Sequence, residues 1–249
     1  MTSENHPPYP RLGELYRALG GALDTKAKDR NVDRLAREGE YDWSLLPTLQ
    51  QTLITKPLRA ATDNEFAELV DQFADHMRTS YLRMVAHIAL DRLTRAEALP
   101  LLIEHYFAPQ GASLLLGIKK AFGGPHLMAL LDPAKQPLAV VLDWFDKHEG
   151  RDLARRTFPE STGTDRSDRE LVSRWANGTP PDLSSIKRFV DAASRRGAID
   201  NEQASNLRRW MIVARALAWL EKESPLPFRP LLRRHLLLGI GRGEGVAFG

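Results

Sequence analysis

Apolar residues recur along most of the chain at intervals of three and four, the spacing that lines one face of an α-helix. Stretches that alternate residue by residue, as half-buried strands do, are nearly absent, so the pattern predicts an all-α protein. The clearest run is Thr62 to Leu93, where Phe66, Leu69, Val70, Phe73, Met77, Tyr81, Val85 and Ile88 share a face. A long helix is predicted there, weakened near Thr79-Ser80, with Glu65, Glu68, Asp71, Asp75 and Arg78 on a solvated opposite face. Upstream, Leu12, Leu15, Tyr16 and Leu19 predict a helix from Arg11 to Leu23 closed by Gly20-Gly21. Lys26 to Gly39 reads as a charged helix anchored by Val32 and Leu35. Asp42 is placed to cap a helix carrying Trp43, Leu45, Leu46, Leu49 and Leu53, which should end before Pro57. Arg95 to Phe107 and Ala112 to Phe122 predict two more helices, stopped by Gly123-Gly124-Pro125, and Leu127 to Leu131 one further turn.

In the second half, Ser167 and Glu170 have the spacing of a capping box, followed by Leu171, Val172 and Trp175 on one face. Gly178 supplies a left-handed helix end, and Pro180-Pro181 forbid continuation. Asp182 then caps a helix whose apolar face is Leu183, Ile186, Phe189 and Val190. The stretch 167–193 is therefore a helical hairpin with Trp175 and Phe189 packed at its corner. Asp200 and Gln203 form a second capping box, opening a helix through Leu207, Trp210, Met211, Ala214, Leu217 and Leu220. Arg208, Arg209 and Arg215 lie off that face, and Ser224-Pro225-Leu226-Pro227 ends the helix. Arg229 to Leu238 is a basic last helix whose leucines dock on the body.

Val172-Ser173-Arg174-Trp175, then Asn177-Gly178, Pro181 and an apolar-periodic helix, resemble the second half of the Cro/C1 (lambda-repressor-like) helix-turn-helix. Leu138 to Lys147 stands where the family has its first helix, and Asp152-Leu153-Ala154-Arg155 where it has its second. The resemblance covers roughly a quarter of the chain and departs from the family in several places. Phe158 to Arg166 is longer than the family's turn, Ser167 replaces an apolar residue, and Asp168 and Glu170 sit at the end that should meet DNA. The resemblance implies a DNA-binding protein, such as a transcriptional regulator or a nucleic-acid-associated accessory protein, with the tryptophan-bearing helix in the major groove. It makes Arg169 and Ser173 the base-edge candidates, because a guanidinium matches guanine's two acceptors and a hydroxyl serves either role. Arg166, Arg174, Lys187 and Arg188 become phosphate contacts. The alternative is a non-enzymatic helical interaction or scaffold module in which the hairpin only packs.

Asp132-Pro133 to Gln136-Pro137 reads as a boundary. It divides the chain into disordered residues 1–10, an N-terminal helical domain over 11–132 for a protein partner or dimerisation, a helix-turn-helix-like domain over 137–222, and a basic segment with a Gly-rich tail over 223–249. No fixed period supports a TPR-type repeat. Charge follows this division. Residues 1–150 hold 17 Lys and Arg against 20 Asp and Glu, whereas residues 151–249 hold 18 against 12. A basic second part suits an anionic partner.

The 249 residues contain no cysteine, which excludes disulfides, thiolate metal sites and a cysteine nucleophile and fits a cytoplasmic location. The start, MTSENHPPYP, is polar and not a signal peptide, and no apolar run approaches the ~20 residues of a membrane span. No G-x-S-x-G, H-E-x-x-H or P-loop occurs. His126, His148 and His235 stand apart, and His87 with Asp91 is a lone pair, below the ligand count of a metal site. The G-x-G spacing of the tail has no strand before it and no helix after it. No catalytic residue, cofactor, metal or membrane partner is expected.

Overall fold

In the computed structural model, which describes residues 7–24, 30–38, 46–149, 165–195 and 199–241, every regular element is a helix. The order is α1 (Leu12–Leu23), α2 (Arg30–Glu38), α3 (Leu46–Gln50), a π turn (Gln51–Thr55), α4 (Lys56–Ala61) and α5 (Asn64–His87). A 3-10 turn (Leu90–Arg92), α6 (Arg95–Leu102), a second π turn (Ile103–Phe107), α7 (Ala108–Phe122) and α8 (Leu127–Leu130) follow. The second half holds α9 (Pro137–Glu149), α10 (Asp165–Ala176), α11 (Leu183–Arg195), α12 (Asn201–Glu223) and α13 (Phe228–Gly241).

Local chemistry sets the helix starts. Asp63 caps α5 by accepting a 3.0 Å bond from the Phe66 N–H. Asp200 and Gln203 close the expected capping box at α12, with bonds of 2.8 and 2.9 Å. Thr94 and Glu97 form another box at α6.

Two predicted breaks are bends instead. The helix before Pro57 continues, and the predicted helices 95–107 and 112–122 run on from one another through Pro109. In each case a π turn ends two residues before the proline. The Lys56 N–H bonds to the Gln51 carbonyl and the Ala108 N–H to the Ile103 carbonyl, five residues back. Each proline thus falls in the first turn of a new helical segment, where a missing N–H costs least. The long helix α5 does not break at Thr79-Ser80. The Ser80 hydroxyl donates back to the His76 carbonyl, which α5 tolerates. Nor does α1 close at Gly20-Gly21; it runs to Leu23. Asp71 is not on a solvated face, since it accepts from Thr55 Oγ1 at 2.5 Å and Gln50 Nε2 at 2.9 Å. Asp42, Trp43 and Leu45 lie outside the described residues.

The core centres on α12, which packs against α1, α9, α11 and α13. Leu207, Trp210, Met211, Ile212, Ala214 and Leu217 are buried along it. One hydrophobic cluster runs from Leu12 to Leu236 and includes Phe66, Tyr81, Leu138, Trp175 and Phe189, so helices on both sides of 132–137 share it. The turn between them is held by Arg229 Nη1, which donates to the Asp132 and Lys135 carbonyls at 3.0 and 2.7 Å. At the N-terminal end α2 rests on α1 at Gly13, where a Cβ would stand 2.6 Å from the Val32 carbonyl oxygen. The first described residues are docked as well. Pro10 is buried, and its carbonyl accepts a 2.6 Å bond from the Tyr81 hydroxyl.

Candidate functional site

The hairpin forms as its sequence directs. Helix α10 begins at Asp165, so Ser167 is inside it and not its cap. At its end the Thr179 N–H bonds to the Arg174 carbonyl and the Gly178 N–H to the Trp175 carbonyl, the pair of bonds of a Schellman motif. Gly178 takes φ +99° to make it, a region that L side chains avoid. Asp182 caps α11, accepting from the Ser185 N–H and the Ser184 hydroxyl, each at 2.6 Å. Burial opposes its ionisation, yet the hydrogen bonds from Ser184 and Ser185 and the Arg188 charge prevail, leaving its carboxyl below the usual aspartate range. Val172, Trp175, Ile186, Phe189 and Val190 are buried, and the Trp175 and Phe189 rings meet edge to face.

The turn end of the hairpin is tied to the rest of the chain by Arg215 of α12. Its Nε donates to the Pro181 carbonyl at 2.7 Å, and its Nη1 to the Gly21 carbonyl at 2.9 Å and to that of Ala22. Asp24 lies 3.6 Å away. Burial pushes the guanidinium down from its ordinary value, while Asp24 and Asp182 pull it up. Its neighbours on α12 are committed too: Arg208 pairs with Asp191, and Arg209 with Asp63 at 2.7 Å while stacking 3.9 Å over the Phe122 ring.

Ser173, Arg174, Lys187 and Arg188 are exposed on the hairpin. Neither Arg174 nor Lys187 forms an ion pair with a described carboxylate, in contrast to Arg208 and Arg209. Arg188 Nη2 donates to Ser185 Oγ at 3.1 Å and Asn177 Nδ2 to Ser173 Oγ at 3.4 Å. Arg166 and Arg169 lie on α10 seven and four residues before Ser173, the register of one helix face. Their side chains, and all of Asp152 to Arg155, lie outside the described residues. Glu170 is exposed. Helix α9 packs on α10, where the family's first helix was expected.

A second feature was not legible in the sequence. Helices α1, α5, α6, α12 and α13 line an open-sided cavity of about 430 Å³, a volume typical of small-molecule sites. Leu15, Leu19, Val70, Phe73, Met77 and Trp219 supply much of its wall. Two arginines also line it, each beside a carboxylate: Arg95 Nη2 is 2.5 Å from Glu14 Oε1, and Arg78 pairs with Asp75. The Tyr16 hydroxyl and Arg78 Nη1 are buried, and the Arg78 side chain lies beside the hydroxyl. Burial, with Asp75 and Asp71 nearby, pushes the Tyr16 hydroxyl above its ordinary value despite Arg78. Apolar periodicity announces these side chains as core and carries no sign that five helices leave space between them.

Among the described residues no group of three His, Cys, Asp or Glu side chains could hold a metal ion, and no helix is long and apolar enough to cross a membrane. Comparison of the chain with the known protein families, with curated proteins and with solved structures finds no match in any of the three.

Proposed function

We propose that this chain binds DNA through the outer face of the α10–α11 hairpin, acting in the cytoplasm as a regulator or accessory factor. The observation that carries the reading is the exposure of Arg174 and Lys187. Both are exposed on the hairpin and paired with no described carboxylate, while arginines of the neighbouring helix are consumed by the fold. In this reading Trp175 and Phe189 hold the corner, and Arg166, Arg174, Lys187 and Arg188 neutralise phosphates. Arg169 and Ser173 face base edges. The helical part over 11–132 takes a protein partner or a second copy of the chain.

Fluorescence anisotropy with mixed-sequence duplex DNA at two salt concentrations tests this. Four phosphate contacts predict a log–log salt slope of about −3 to −4. Arg174→Ala combined with Lys187→Ala should weaken binding at every sequence and flatten that slope by about 2. Absence of binding at low salt, or binding indifferent to the double substitution, overturns the reading in favour of a hairpin that only packs.

A further inference from the structure

We propose that the cavity between α1, α5, α6, α12 and α13 is a binding site for a neutral, largely hydrocarbon molecule. The inference is independent of the DNA reading, because no hairpin residue lines the cavity. Its size admits a ligand of small-molecule dimensions. Walls built from leucine, valine, phenylalanine and methionine offer water few partners and gain most by contact with carbon. The arginines in the wall are already paired. Glu14 neutralises Arg95 and Asp75 neutralises Arg78, and the remaining carboxylate, Glu223, is exposed at the rim, so an ionic headgroup drawn into the apolar interior would lose its hydration without a countercharge there.

Tyr16 and Arg78 are wall residues, but the Tyr16 hydroxyl and Arg78 Nη1 are buried away from the cavity space and lie beside each other, so the wall presents carbon to an occupant there. Access exists beside the C-terminal end of α12, where the exposed Glu223 forms part of the wall.

The test titrates the full-length protein with 1-decanol, decanoate and decyltrimethylammonium, all below micelle-forming concentrations. Binding is read by calorimetry and by the fluorescence of Trp219 in the wall. One decanol per chain is expected, at least tenfold tighter than either charged probe. Ala74→Phe and, as an independent filling variant, Leu19→Trp should each reduce decanol binding at least tenfold in proteins whose helical circular dichroism is unchanged. Failure of decanol to bind, equal or tighter binding of the charged probes, or binding undiminished in the folded filling variants overturns the site.

Discussion

The Trp175 indole meets the Phe189 ring edge to face, with centroids 5.8 Å apart and planes at 86°. That geometry sets the positive edge of one ring against the negative face of the other and adds about 0.5–1.5 kcal/mol to the burial of both. Because the two rings take the inner side of α10 and α11, Arg174, Lys187 and Arg188 are left on the outer side of the hairpin. Trp175→Ala should therefore cost about 3–5 kcal/mol in urea denaturation. Arg174→Ala, at an exposed residue that pairs with no described carboxylate, should stay within about 0.5 kcal/mol while lowering DNA affinity. If the two substitutions destabilise equally, the division between packing and contact residues is wrong.

Arg215 joins three segments that are distant in sequence, the end of α1, the 180–182 turn and α12. Replacing it with methionine removes the donor to the Ala22 and Pro181 carbonyls, leaves Gly21 only the Asp24 N–H at 3.2 Å, and should cost about 3–5 kcal/mol. Lysine should rescue little, since a single ammonium cannot reproduce a planar fork. Hydrogen exchange should report faster opening at the α1 C-terminus and at the hairpin turn together; loosening confined to one of them would contradict the clamp.

Gly178→Ala forces a side chain into the left-handed region at φ +99° and is expected to cost about 1–3 kcal/mol. The new methyl would also stand 2.9 Å from Gln136 Oε1, the end of a movable side chain, so backbone strain should dominate. Asparagine, which tolerates that region better, should recover part of the loss in thermal melts.

Alkaline pH should unfold the protein. Burial raises the hydroxyls of Tyr16, Tyr81 and Tyr106 above the ordinary tyrosine value of 10.0. The folded state then holds protons that the unfolded chain has released. The stability they contribute is complete below pH 10 and is lost as pH rises through the folded values. Denaturation midpoints measured between pH 8 and 11.5 should fall above 10, and Tyr16→Phe should make the fall shallower.

What the sequence determined is local. Spacing of three and four placed the apolar faces of α5 and α12, side-chain oxygens placed the caps at Asp182 and Asp200, and Gly178 ended α10 because only a glycine reaches that conformation without strain. The aromatic corner was legible for the same reason, since its two rings lie on faces fixed by one short turn. Other features needed the tertiary structure. Pro57 and Pro109 reach their places through π turns that depend on how neighbouring helices pack, and the partners of Arg209 and Arg215 come from segments up to 194 residues away. The cavity is the extreme case. Periodicity says that Leu15, Phe73 and Met77 turn inward, but whether inward-facing side chains meet or leave a space is set by the distances between whole helices, which no local pattern encodes.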